Sequence, residues 1–557
     1  MRADRCASQS DPDPGRALDH RLAAYFSEIT RGRVTRRQFL GGVAGTLALA
    51  APVGSLAAPA APSFLPVRSL IQSVNTFTYG LEGDIVGLEP ALAYDTATLA
   101  VVSQISEGLL MFDRKGGLQP LLAERWEQPD ALTYVYHLRD DVTFHDGTTM
   151  TSADVLASIA RVRDPATASP VAWMYDAADT VEAADDRTVT ITLKSPSALF
   201  RYVPAVSAGY VVSKAAVEKY GPDLTRHPVG TGPYRFARWD AGSQVVLEKN
   251  PTYWQPGKPS FDRAIFKVVQ DGTTRVTGLK TGELDATAVI PADQIATVKS
   301  LPNLAVQQIV SFSSHTIAMR TDRPPFDDPK VRAAVSHALD VASAIASVVK
   351  EGGVQSAATT VPPNMPGSAA EALPPLPFDL ATAKQLMAES SHPQGFATTL
   401  VTAPIEEWVA ISVYAQEALK ELGIELSVDM RTWEEVVTVY QGGDYDGMVY
   451  FGWSADFPDA SAMLLPLFHS KNVPPQPNIS YYANPKVDAL LDASETELDP
   501  EKRQAALVEA QKLIAADMPV LWIEYPVQFW PMNAAITGYE LSPLWAWDCF
   551  TRDLQPA

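Results

Sequence analysis

The stretch Val142-Thr143-Phe144-His145-Asp146-Gly147 stands between two segments of different periodicity. Before it, Leu132, Tyr134, Tyr136 and Leu138 alternate with polar residues, the spacing of a half-buried strand. After it, Thr151 with Asp154 three residues on has the form of a capping box. It opens a helix carrying Val155, Ile159 and Val162 on one face. His145 is chemically capable by type. Lodged between a strand and a capped helix, it reads as part of a structural turn.

The same alternation of elements continues outward. Val189, Ile191 and Leu193 repeat the strand pattern after the turn signal Asp185-Asp186-Arg187. Asp328-Pro329 is an N-cap followed by proline in the first turn, with Val331, Val335, Ala338 and Leu339 as the apolar stripe. Asp499-Pro500 starts another helix, with Ala506, Ala510, Leu513 and Ile514 facing inward and Pro519 ending it. Thr360 to Pro377, rich in proline and alanine, reads as a surface loop. No repeat of fixed period is present. The fold class is mixed α/β.

The N-terminal segment carries an address. Thr35-Arg36-Arg37-Gln38-Phe39-Leu40 sets two arginines before a mildly apolar run, Leu40 to Ala51. That run is far shorter than the ~20 residues that span a bilayer. Small residues at Ser55, Ala57 and Ala58 follow, so residues 1–57 read as a twin-arginine signal peptide cleaved after Ala57. Cys6 leaves with it, stranding Cys549 and excluding an intrachain disulfide in the mature chain. No cysteine follows the apolar run, so no lipid anchor is expected, and no later segment is long and apolar enough to span a membrane.

The whole chain carries a net charge of -21. Residues 1–57 hold eight arginines against five acids, a net +3, which leaves about -24 for the remainder. Such a surface argues against nucleic acid and anionic membranes and favours cationic or neutral ligands. Hydrophobic content of 46% and charged content of 20% suit a globular protein with large cores. The usual signatures of catalysis are missing: no Gly-x-Ser-x-Gly elbow, no His-Glu-x-x-His helix, no glycine-rich phosphate loop. The eight histidines do not fall at metal-ligand spacing. No enzyme activity, cofactor or metal is expected.

Ordered fragments then point to a family. Leu88-Glu89-Pro90-Ala91 precedes Gln104-Ile105-Ser106-Glu107-Gly108-Leu109-Leu110, then Leu121-Leu122-Ala123-Glu124-Arg125-Trp126 and the opening stretch. Pro228-Val229-Gly230-Thr231-Gly232-Pro233-Tyr234 and Lys249-Asn250-Pro251-Thr252-Tyr253-Trp254 follow, then Gly282-Glu283-Leu284-Asp285 and Pro325-Phe326-Asp327-Asp328-Pro329. In order and spacing they resemble the extracytoplasmic solute-binding proteins of the peptide/nickel type (family 5), which serve ATP-driven importers. Most of these residues have structural work, Gly230 and Gly232 in a tight turn needing unusual or fixed φ.

The resemblance implies a two-lobed periplasmic-binding-protein fold (type II, peptide-binding-like) with a ligand cleft between the lobes. Lobe I would comprise residues 58–269 plus 529–557, with a subdomain at about 92–205, and lobe II residues 270–528. Crossovers are expected after Val268-Val269 and near Tyr525-Pro526. The candidate site is Tyr450-Phe451-Gly452-Trp453-Ser454-Ala455-Asp456, an apolar strand running into a proline-bounded loop. In peptide-binding members the aspartate matching Asp456 holds the ligand's α-amino group. An enclosed ammonium needs such a carboxylate, because its desolvation is otherwise uncompensated. The competing role for Asp456 is a helix cap before Ala460–Leu465. Trp453 would supply an apolar wall or a cation–π face. Tyr450 stands where oligopeptide binders can carry an arginine, which leaves room for ligands other than a peptide carboxylate. Arg320 could face an anionic group, and Glu82, Tyr94 and Trp433 are further cleft candidates.

The expected function is capture of a short peptide or similar small solute and its delivery to a membrane permease and its ATPase, by a monomeric periplasmic protein. The alternatives are a binder of chelated nickel or haem-like cargo, and, in another class, a periplasmic hydrolase.

Overall fold

The computed structural model describes residues 75–544 and 548–557. The twin-arginine segment and the cleavage site at Ala57 lie outside the described residues. None of the described helices is long and apolar enough to cross a membrane.

A twelve-stranded sheet organises the described residues and runs through two lobes. At one end Tyr234–Asp240, Gln244–Lys249, Arg263–Val268, Thr76–Leu81 and Ala286–Thr287 lie side by side; at the other are Ser313–Met319, Met448–Ser454, Ala397–Thr402 and Glu425–Met430. Between them lies the 14-residue strand Val520–Asn533. Residues 527–533 of that strand pair antiparallel with Leu304–Val310, and residues 520–524 with Ser313–Met319. Partners change at Pro526, which has no N–H to place in either ladder. Its carbonyl accepts both the backbone N–H and the Oγ–H of Ser311, at 2.9 and 2.8 Å. Two neighbouring strands therefore carry the chain between the lobes, pinned together at the crossing.

The chain does not leave the first half of the sheet after Val269, where the sequence reading put a crossover. Helix Gly272–Thr281 returns it to Ala286–Thr287 beside Thr76–Leu81, and Leu304–Val310 still pairs on that side. Arg263–Val268 is a strand, as its sequence predicts, but an ordinary strand–helix–strand unit follows it.

A second sheet of four antiparallel strands joins Ala123–Glu127, Thr133–Leu138, Thr188–Leu193 and Ala178–Asp185. Thr133–Leu138 buries Tyr134, Tyr136 and Leu138 in alternation. The turn after it closes as expected. The Nε2 of His145 meets the Gly232 carbonyl at 3.0 Å, and burial pushes this imidazole down to about 4, so it stays neutral. The Thr151–Asp154 capping box opens helix Ser152–Arg163, whose Val155, Ile159 and Val162 are buried.

Two expectations change. Gly230 and Gly232 have no positive φ. They are needed for close approach: a Cβ on Gly230 would sit 2.1 Å from the Ile105 carbonyl oxygen, and one on Gly232 2.6 Å from that of Gln104. The backbone presses against Gln104–Glu107 because buried Glu107 gathers Thr231 Oγ1, Tyr253 OH and Trp254 Nε1 at 2.7–3.1 Å. The second change concerns Thr360 to Pro377, which lacks helix and strand but is a surface loop only in part: Thr360, Val361, Met365 and Ala369 are buried, while Glu371, Ala372, Pro374, Pro375 and Pro377 are exposed. Gln511 supplies its hydrogen bonds, accepting from Thr359 Oγ1 and Ala369 N–H and donating to the Gly367 carbonyl. Gln511 lies on helix Pro500–Asp517, whose inward face is Leu507, Ala510, Gln511, Ile514 and Ala515. Ala506 and Leu513, read as inward, are half-buried.

Gly232→Ala should cost about 1–3 kcal/mol through forced backbone displacement, visible as a lowered Tm. Gly442→Ala, where nothing lies within 4 Å of the added carbon, should leave the Tm unchanged or slightly raised.

Candidate functional site

Strand Met448–Ser454 delivers its last residues to the gap between the lobes. Ser454 pairs with Ser313, which starts the neighbouring strand, and their hydroxyls meet at 2.8 Å. The chain then turns through Ala455 and Asp456 into helix Ser461–Phe468. The N-cap of that helix is Ala460, and just before it Asp459 Oδ1 accepts from the N–H and Oγ–H of Ser461 while Arg503 pairs with both its carboxylate oxygens. Asp456 does not fill the capping role open to it.

Asp456 borders two cavities. The first, about 300 Å³, is lined from one lobe by Glu82, Tyr94, Thr96 and Val289, and from the other by Ser313, Ser454 and Asp456, with Gln528 of the shared strand. The second, about 370 Å³, is walled by Trp173, Leu199, Trp453, Phe457 and Leu465, with Asn472 and Gln476 at its edge. Phe457 crosses the gap to lie between Trp173 and Tyr202, with ring centroids 6.2 and 5.9 Å away.

The electrostatics are unusual for two carboxylates. Burial alone pushes Asp456 up to about 6, and no described residue donates a hydrogen bond or ion-pairs to its side chain. Glu82 is raised by burial too, only partly offset by its own backbone N–H and then by the Arg275 guanidinium, and its buried Oε2 has no partner among the described residues. Both residues are half-buried, and both face the first cavity with no protein donor to Asp456 or to Glu82 Oε2 among the described residues.

Four of the seven residues named from sequence come together here: Asp456, Glu82 and Tyr94 on the first cavity, Trp453 and again Asp456 on the second. Trp453 anchors its Nε1–H on the Ala462 carbonyl at 3.0 Å and stacks against Phe451. Tyr450 is elsewhere. It lies three residues before Trp453 on a strand and so points to the opposite face, where it is fully buried and stacked on Trp408 at 4.7 Å. Trp433 opens helix Trp433–Gly442 and packs edge-on to the same Trp408, bordering neither cavity. Arg320 is buried and committed to structure: its guanidinium donates to the Gly443 and Tyr445 carbonyls and to Asp322, and lies 4.0 Å over the Tyr481 ring. It has no face left for an anionic group. Trp173, Phe457 and Gln528 were missed, and no local pattern marks them; the Ser313–Ser454 pair could have been suspected as matched strand ends.

A binding cleft between two lobes, lined by aromatics and unsatisfied carboxylates, defines a solute-binding protein. Residues 117–475 match the bacterial extracellular solute-binding proteins, family 5 (middle region). The glutathione-binding protein GsiB of Escherichia coli (strain K12) is 33% identical over 477 residues, 84% of this chain and 92% of its own length. Among solved structures, HbpA2 of Haemophilus parasuis superposes with TM-score 0.78 at 26% identity, covering 87% of this chain and 100% of its own. The ABC transporter-associated periplasmic binding protein DppA of Helicobacter pylori, in complex with peptide STSA, gives 0.74 at 26%, covering 86% and 98%. The chain belongs to family 5 of the bacterial extracellular solute-binding proteins and is the solute-binding component of an ABC importer.

A carboxyl raised by burial penalises the folded state once it ionises. The penalty is absent below about pH 4, grows as pH rises through about 6 and is complete above it, amounting to roughly 2–3 kcal/mol. Asp456→Asn should therefore raise the Tm of the ligand-free protein at pH 7.5 and leave it unchanged near pH 4, as calorimetry at both pH values would show.

Proposed function

We propose that the protein captures a short peptide or similar amine-bearing solute in this cleft and passes it unaltered to a membrane permease and its ATPase. The carrying observation is the partnerless Asp456 carboxylate at the meeting of the two cavities. A bound ammonium would supply the charge and donors that Asp456 lacks, and the aromatic wall of Trp173, Trp453 and Phe457 would cover the adjoining apolar part of the solute. Relatives named for glutathione binding and a neighbour holding a peptide support this class of cargo.

The strand pairings support a division of lobes later in the chain than the sequence suggested. We take the first lobe as about 75–310 with 527–557, carrying the small four-stranded sheet as a subdomain, and the second as about 312–525. Closure would be a rotation about the pinned crossing at Ser311 and Pro526. The twin arginines and the small residues before Ala58 support export of a folded chain by the twin-arginine route to the periplasm, with cleavage near Ala57.

Mass spectrometry of solute released from the purified protein should recover an intact amine-bearing molecule at near-stoichiometric yield. Recovery of cleaved products from a peptide mixture would instead mark a hydrolase and end the carrier reading. Asp456→Ala should abolish retention of that solute. Because an ammonium pairs with the ionised carboxylate, affinity should hold above about pH 7 and fall toward tenfold per pH unit below about 6, measurable by calorimetric titration.

A further inference from the structure

The charge lining the cleft is one-sided. Among the described residues, those bordering the two cavities include the carboxylates of Glu82 and Asp456 and no lysine, arginine or histidine. The other polar groups there are neutral, Ser313, Ser454, Gln528, Asn472 and Gln476 among them. Arg275 is the cation that acts on Glu82, but its Nε and Nη1 are spent on the carbonyls of Val289, Val269 and Gln270. Asp95, whose charge also reaches Glu82, caps helix Thr96–Val102 and offsets the positive end of its dipole. A ligand carboxylate placed here would find no counter-charge and would face two of its own sign.

From this we propose that the solute is a compact cation, carrying two positive groups on an apolar body and no free carboxylate. One ammonium would meet Asp456 of the second lobe and the other Glu82 of the first, with Tyr94, Trp173 and Trp453 offering ring faces between and beside them. A solute held this way bridges the lobes by charge and so draws them together. Glutathione, with two carboxylates to one ammonium, fits this lining poorly, so the cargo differs in charge from that for which the Escherichia coli relative is named. The inference rests on the cleft being the solute site, and the following experiment separates its failure from failure of that reading.

The mature chain is titrated by calorimetry at low ionic strength and pH 7.5 with lysyl-phenylalanine amide, lysyl-phenylalanine free acid, alanyl-phenylalanine amide and glutathione. The doubly charged amide should bind at least about tenfold tighter than its free acid and than the singly charged amide, with glutathione weakest. Glu82→Gln, checked for an unchanged fold by its melting curve, should narrow the gap between the two amides. If the free acid or glutathione binds as tightly as the doubly charged amide, and Asp456→Asn abolishes that binding, the cation assignment is wrong while amine capture stands. If no amine binds at millimolar concentration, both fall. The comparison among ligands on the unsubstituted chain is decisive even if Glu82→Gln fails to fold.

Discussion

Everything in the molecule is hung on the hydrogen-bond ladder of one strand, Val520–Asn533. Its two halves belong to different neighbours, Ser313–Met319 on one side of Pro526 and Leu304–Val310 on the other. Because a proline cannot donate, it interrupts a ladder least where the ladder is already changing hands. Ser311 then fastens the second crossing strand to the Pro526 carbonyl by two hydrogen bonds. The lobes are thus joined at a narrow seam, and Gln528, two residues from it, lines the cleft. In the proposed reading, the seam about which the lobes would turn and the cleft that would hold the solute are neighbours along one backbone.

The site takes advantage of what a core avoids. Several polar side chains elsewhere are well supplied with partners: Glu107 has three donors, Asp459 has Arg503 and Ser461, Gln511 uses both its amide ends. Asp456 and Glu82 are left without them, at a cost to the empty protein. That cost makes the ligand-free cleft the less comfortable state and gives a cationic group something to gain beyond contact area. The ordering of acids along the 456–459 loop matters here. Had Asp456 capped the helix, the cleft would have lost the carboxylate contributed by the second lobe.

Much of this could be read in the amino-acid sequence, and the reasons differ by residue. The Thr133–Leu138 strand and the Ser152–Arg163 helix follow from local rules of alternation and capping, which tertiary context did not override. His145 in a turn followed from its neighbours alone. Tyr450 could have been set aside by the same arithmetic, since a side chain three positions from Trp453 on a strand faces the other way. Arg320 could not, because its partners are backbone carbonyls at Gly443 and Tyr445, more than a hundred residues on. Proline and alanine between Thr360 and Pro377 suggested a surface, yet Gln511 from another element satisfies that backbone and lets it cover the core. The position of the first crossover was hidden for a similar reason: a strand ending at Val268 looks the same whether the next strand returns beside it or departs.

The strand shared between the lobes also sets an order of events when the chain is made. The core of the first lobe packs Phe77 and Tyr79, among its earliest described residues, with Trp530 and Phe550, Tyr79 stacked 5.4 Å from Trp530 and tilted against Phe550 at 5.3 Å. Some 450 residues separate those partners along the ribosome's product. The first lobe can start early but cannot close its core until the second has been synthesised and the final strand laid down. Wherever the chain folds, its first lobe is therefore the last to be completed, although it is the first to be made.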